Sequence, residues 1–310
     1  MSVTRFDELF DQLDLSDHIA SQRAFFSRDL PLYMEGDQER HFKHIEALDK
    51  HEFKAPPKVS DFSTIKAHLK KSGVLRFEQI FEIIKVVRYF RYLKNRDLPG
   101  LIGSWMAKIE IHELFGEIDG YFDEEGIFNE ERDEELYRLG QRIKSLKGDI
   151  SDQLKRMLNT AKLSSYLVDH QVHYLNDEEC LLVRGGFNHV LKGSVIGRSS
   201  GGFFYVSPNA ITKTKEQIRA VEQEREGRFY EYAKSFSATL KEMLPFIGFI
   251  DKEFDRFDHY QARVLFARSK DYTIMQADGK DDTIVLEGFE HPALHKPKPV
   301  KVDFSRAVLM

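Results

Sequence analysis

The chain has one cysteine and one tryptophan in 310 residues. A lone Cys180 excludes an intrachain disulfide and points to a reducing compartment. No apolar run reaches the roughly 18 residues that a membrane span needs. The opening segment MSVTRFDELFDQLDL carries acids early and lacks the apolar stretch of a signal peptide. A cytoplasmic protein without a membrane partner is therefore expected. The usual catalytic signatures are missing too. There is no GxxxxGK[ST] phosphate loop, no GxGxxG fingerprint, no HExxH, no paired-cysteine motif and no GxSxG elbow. With no nucleophile–base or metal constellation, the sequence speaks against a stand-alone enzyme.

What is present describes a folded, largely helical chain. Hydrophobic residues make up 41% and charged residues 31%, as in globular proteins. The length suggests about two domains. Apolar residues at Leu136, Leu139, Ile143, Leu146, Ile150, Leu154, Met157 and Ala161 form a single helix seam close to a heptad. A second seam runs through Ile211, Ile218, Val221, Phe229, Tyr232, Phe236, Leu240 and Met243, with a gap at Arg225 near Gly227. Each predicts a helix of about 32 residues, or roughly 48 Å. The intervening module makes an antiparallel pair the simplest arrangement. The charges between the seam positions, such as Glu222, Glu224, Arg225, Glu226 and Arg228, read as a solvated helix surface.

Residues 1–130 are also expected to be mainly helical. His68–Leu93 is amphipathic, and its end is apolar on more than one face, so it should be buried. Pro56-Pro57 and Leu98-Pro99-Gly100 punctuate this region. Phe246–Phe266 reads as helix and Thr283–Leu286 as strand. The proline-rich segment 291–299 should be extended, and Phe304–Met310 should begin a buried strand.

The formal net charge of −5 is unevenly spread. From Cys180 to Lys215 there are five basic residues (Arg184, Lys192, Arg198, Lys213 and Lys215) and no acid, so the rest carries −10. The same window holds six of the 19 glycines and the β-type runs Cys180–Arg184 and Phe203–Val206. It predicts a small β-module with a basic surface. Its segment Gly193–Gly202 contains Arg198, Ser199 and Ser200. N–H, hydroxyl and guanidinium donors there suit a backbone phosphate. A purely structural hairpin suits the segment as well, and both readings stay open.

Other candidates have simpler explanations. His41/His44 and His170/His173 sit at i,i+3, but no third ligand is placed by sequence, and metal binding needs three or four. Asp123-Glu124-Glu125 and Glu130-Glu131 could hold a divalent cation. They fit better as acids approaching a helix N-terminus, where they favour the dipole. Cys180 reads as a small buried hydrophobe on a strand.

Four stretches then carry a family resemblance. They are Lys58–Phe62 through Ser72-Gly73-Val74-Leu75 to Leu93, Glu125-Gly126-Ile127 before Leu136 and Ile143, Tyr166 to Pro208, and His291-Pro292-Ala293-Leu294 with Val300 to Met310. Their order resembles the MutS family, and within it the anti-recombination branch, the type-two MutS proteins. Two positions depart from the family pattern: Ile196-Gly197 stand where it has His-Asp, and Ser207 stands where it has Glu.

The resemblance implies a mainly α fold. A helical MutS-like core would carry a long antiparallel lever pair with a small β clamp at its tip. The core would take residues 1–130 and 245–290, the levers 131–165 and 209–244, and the clamp 166–208. Residues 291–310 would open an ATPase domain cut off at Met310. ATP and magnesium are then expected only for a longer parent, with its endonuclease domain, and no cofactor for this stretch. The implied partner is duplex or branched DNA, in the suppression of recombination. Arg184, Lys192, Arg198, Lys213 and Lys215 are the expected phosphate contacts, with Ser199 and Ser200 as helpers. Homodimerisation is implied for the parent. The alternative is a coiled-coil scaffold for a ribosome, RNA or another protein.

Overall fold

A computed structural model describes residues 12, 14–176, 178–274, 285–292 and 294–303. The chain divides into two compact units, residues 1–120 with 236–310, and residues 121–235. In chain order the first unit begins with α1 (Ser16–Arg23), α2 (Gln38–Asp49), α3 (Ser63–Lys70), α4 (Phe77–Asn95), α5 (Gly100–Ala107) and α6 (Leu114–Asp119). The second unit follows with α7 (Glu134–Leu158), α8 (Ala161–Ser164), β1 (Leu167–Leu175), β2 (Glu178–Val183), β3 (Gly193–Arg198), β4 (Phe204–Pro208) and most of α9 (Thr212–Glu242). The chain then supplies α10 (Leu244–Lys270) and the hairpin β5 (Val285–Phe289) and β6 (Val300–Asp303). The mainly α expectation holds. Among the described residues no helix is long and apolar enough to cross a membrane.

The first unit is organised by α4 and α10. The apolar end of α4 is buried as expected, at Val86, Val87, Tyr89, Phe90 and Leu93. The helix predicted from His68 is broken, however. Ser72 adopts φ 58, and α3 and α4 are separate helices around it. Pro99 stands directly before α5, and Pro245 occupies the first turn of α10, where its missing N–H costs nothing. α10 buries Ile247, Ile250, Phe254, Phe257, Tyr260 and Val264. Each large apolar side chain so buried contributes roughly 1.5–3 kcal/mol.

α10 also buries acids that periodicity alone did not reveal. Asp258 is fully buried and accepts N–H donors from Ser27 at 2.8 Å and Arg28 at 2.9 Å. Burial raises its pKa against the pull of those donors. The Arg28 guanidinium reaches Asp251 at 2.8 Å and Asp255 at 2.6 Å, and lies against the rings of Phe62 and Phe254. These bonds tie the loop after α1 to α10.

The second unit has its own core. Leu139, Ile143, Ile150, Leu154 and Leu158 of α7 pack with Leu181, Val183 and Val206 of the sheet and with Ile211, Ile218 and Val221 of the returning segment. The ion pairs Asp133–Arg228 and Lys147–Glu222 run in antiparallel order. α7 is shorter than predicted, at 25 residues. It ends because Asn159 and Thr160 leave the helix, with the Thr160 hydroxyl turned back onto the Arg156 carbonyl.

Beyond the second unit, the described residues of segment 291–299 contain no helix. It is not fully extended either, since it bends at 294–296 with Lys296 at φ 55. The predicted strand Phe304–Met310, the start of Thr283–Leu286 and the Ala293 of the family motif lie outside the described residues.

Candidate nucleic-acid interface

The small sheet has strand order β1-β2-β4-β3, all antiparallel. One face enters the core through Leu181, Val183 and Val206. The strands of the β3–β4 hairpin lie very close together at Gly193. A Cβ there would come within 2.4 Å of the Ser207 carbonyl oxygen. Ile196 is an extra residue in β3, because Val195 pairs with Val206 and Gly197 already with Tyr205. Such a bulge bends an edge strand. The departure from the family pattern at Ile196-Gly197 therefore falls on the bulge. A Cβ at Gly197 would meet the Leu175 side chain at 2.7 Å.

The predicted contact residues separate into two groups. Arg184 follows β2 and is exposed, with its guanidinium donating to the Ser165 carbonyl at 3.2 Å. Arg198 ends β3 opposite Phe204, and its guanidinium lies 4.7 Å from that ring. Since Val183 also pairs with Phe204, both arginines lie at the hairpin end of the sheet. Ser199 and Ser200 form the turn there. The Ser199 hydroxyl accepts the Phe203 N–H at 3.2 Å, while Ser200 is exposed. Gly202 closes this turn at φ 80, a value that glycine adopts freely.

The three lysines belong to the other end. Gly193 pairs with Pro208, and Lys192 accepts a bond from the Asn209 N–H through its carbonyl at 2.9 Å. Five steps of strand separate the two ends, about 16 Å at roughly 3.3 Å per residue. Lys192 and Lys213 are exposed. Lys215 is not a free cation, because it pairs with Glu178 at 2.5 Å and Glu179 at 2.7 Å. Burial pulls its pKa down, but the two carboxylates outweigh burial and leave it raised. Lys215 in turn lowers the pKa of Glu178. The acid-free window begins at Cys180, directly after these two partners.

Arg184 and Arg198 have no carboxylate partner among the described residues, so their charge faces solvent. Two further cations, one beside Arg184 and one at the lysine end, were not singled out from sequence. Lys162 is exposed in the short α8, three residues before the Ser165 that receives Arg184. Arg219 is exposed on α9, 3.6 Å from Glu178. Neither carries a sequence signal beyond its charge.

The remaining candidates resolve as structure. His170 and His173 lie on a strand rather than a helix. His173 is held by Asp169 at 3.0 Å and meets the ring of Tyr205. His41 bonds the Tyr260 hydroxyl at 2.8 Å, and His44 donates from Nδ1 to the Arg40 carbonyl at 2.7 Å. No group of three potential metal ligands occurs among the described residues. Cys180 is fully buried, and burial raises its thiol pKa. Asp123 closes its own turn by accepting from the N–H groups of Glu125 and Ile127.

One correction concerns the charged helix surface. Arg225 fills the gap in the second seam by pairing with Glu130, Nε to Oε2 at 3.1 Å. Arg228 reaches Asp133 at 2.8 Å, and Tyr232 donates to the same carboxylate at 2.7 Å. Asp133 is also the α7 cap, accepting the Leu136 N–H at 2.9 Å. Burial alone would raise its pKa, but these donors lower it to about 2. Arg225 and Arg228 are thus part-exposed but paired links within the second unit, while Glu224 and Glu226 between them are exposed as expected.

Comparison with known proteins follows the same direction. Two proteins from Helicobacter pylori strains, each called endonuclease MutS2, are 29% and 30% identical to the chain over 97% of its length. A Borreliella burgdorferi protein of the same name is 22% identical over 64% of the chain. No family model matches the chain. The chain is thus related to the MutS proteins. Within them it is a relative of the type-two branch, MutS2. It spans about 40% of the length of the two Helicobacter proteins.

Proposed function

We propose that this chain is the DNA-binding core, lever and clamp region of a MutS2-type protein. In this reading α7 and α9 are the levers and the β1–β4 sheet is the clamp. The clamp grips the phosphate backbone and reads no base. The observation that carries it is the hairpin end of the sheet, where Arg184 and Arg198, both without a carboxylate partner among the described residues, and the exposed Ser200 all lie. A guanidinium held over an aromatic ring and another held to a backbone carbonyl are pre-set for phosphate, so little side-chain entropy is lost on binding. Each phosphate neutralised on B-DNA steepens the salt dependence of log K by about 0.9. Suppression of recombination through branched DNA, an ATP- and magnesium-dependent cycle, dimerisation and nuclease activity are assigned to the longer protein. We assign no chemistry to this stretch.

The test compares salt slopes. R184E/R198E should weaken binding to duplex and branched DNA and flatten the slope by about 2. K192E/K213E, at the other end of the sheet, should change it less. Equal slopes for R184E/R198E and the parent would refute the clamp assignment.

A second reading, a scaffold for a ribosome or another protein, is favoured by one observation. Tyr174 is 75% exposed on β1, and Tyr137, Val195 and Tyr230 of the same unit are also exposed. Binding of ribosomal particles that survives R184E/R198E but fails with Y174S would favour this reading over DNA.

A further inference from the structure

A second basic site lies away from the sheet, wholly within the first unit. α2 and α5 each present one face to a cavity of about 300 Å³, and Arg256 of α10 closes it. The helix spacing dictates this face, since residues three or four apart share a side. From α2 come Arg40, Lys43 and His44, and from α5 with its cap come Ser104, Trp105 and Lys108.

The charges in the cavity are not balanced. Glu39 pairs with Lys43 at 2.6 Å, and Glu253 pairs with Arg256 at 3.0 Å. Asp37 caps α2, accepting the Arg40 N–H at 3.1 Å, and keeps its negative charge in the lining, which leaves the cations in excess by one. That leaves the Arg40 guanidinium and the Lys108 ammonium without a carboxylate partner among the described residues. The Ser104 hydroxyl has no hydrogen-bond partner there either. The wall beside them is aromatic and apolar. Trp105 is anchored by its Nε1 on Glu253 at 2.5 Å and by ring contacts with His44 and Tyr260, while Leu101 remains 42% exposed.

We propose that this cavity binds a phosphate group carried on a nucleoside. Arg40 and Lys108 would hold the phosphate, Ser104 would add a hydroxyl donor, and Leu101 and the Trp105 edge would face the base. The volume lies at the lower end of small-molecule pockets and suits one nucleotide. That nucleotide could be free or the phosphorylated end of a strand.

The chain's single tryptophan makes the test direct, because Trp105 emission reports the cavity without a label. The 310-residue chain is titrated with inorganic phosphate, AMP, and a short thymidylate strand with and without a 5′-phosphate. A saturable change with AMP that phosphate competes away supports a free nucleotide. A change only with the phosphorylated strand supports a strand end. R40Q and K108Q replace exposed residues, so both should fold, as thermal unfolding will verify. Each should weaken binding roughly tenfold, as expected for one charge-assisted contact. R184E/R198E should leave the Trp105 response to AMP unchanged, which separates its failure from failure of the clamp. No saturable change with any probe, equal binding of the unphosphorylated strand, or unaltered binding by R40Q and K108Q would each overturn the proposal.

Discussion

Replacing Asp133 should loosen the second unit by a predictable amount. The carboxylate caps α7 through the Leu136 N–H, and it receives Tyr232 and Arg228 from α9. Loss of an N-cap costs about 1 kcal/mol. Loss of the Tyr232 bond costs about 1 kcal/mol more. The Arg228 side chain is 42% exposed and rehydrates, so its loss adds little. D133A should therefore cost about 2 kcal/mol. D133N keeps a capping oxygen and should cost about 1 kcal/mol, since Asn caps nearly as well. Local stability is read from amide exchange along α7, because the first unit would mask it in a global melt.

The pH dependence sharpens the test. The Asp133 carboxyl titrates at about 2 in the fold against an ordinary 3.8. A depressed carboxyl stabilises fully above its unfolded value and loses that contribution as pH falls through the folded value. Full conversion of the shift gives roughly 2 kcal/mol, and solvent screening at Arg228 reduces it to about 1–2 kcal/mol. The gap between wild type and D133N should thus be complete above about pH 4 and close toward pH 2. A gap that stays constant across that window, or α7 exchange in D133A equal to wild type, would refute the reasoning.

Three further outcomes follow from other sites. R28A should be clearly destabilising, because it removes one of the two cations on the buried Asp251, which keeps Lys66, and the cation on the part-exposed Asp255. R28M keeps the packing against Phe62 and Phe254 and should cost less by thermal unfolding. G193A forces the β3 backbone off the Ser207 carbonyl and should break the β3–β4 register, seen as loss of amide protection from Gly193 to Pro208. K215M should destabilise the sheet, by leaving Glu179 unpaired and Glu178 with only Ser207 and the more distant Arg219, more than it alters the salt slope of DNA binding.

Much of the helical plan was legible because burial imposes its period on the sequence. The seam Leu136–Leu154 and the apolar end of α4 are the clearest cases. The break at Ser72 was not legible, since a single left-handed residue leaves the hydrophobic period on either side intact. The basic β-module was visible as composition. Its division into two ends was not, because strand register, not sequence distance, decides which cations meet. The burial of Asp258, Arg28 and Asp133 was hidden for a related reason. Charged residues read as surface unless their partners are known, and these partners lie far along the chain: 230 residues separate Arg28 from Asp258, and 95 separate Asp133 from Arg228.

The long separation between Asp133 and Arg228 also bears on the order of folding. The sheet hairpins close short loops, which costs little chain entropy and is fast. Joining the N-terminal end of α7 to the middle of α9 closes a loop of almost the whole second unit. Non-local contacts of that kind form late. The sheet and the helix ends beside it should assemble first, and the Asp133–Arg228–Tyr232 junction should fasten last. Such a late fastening governs how fast the unit opens rather than how fast it forms.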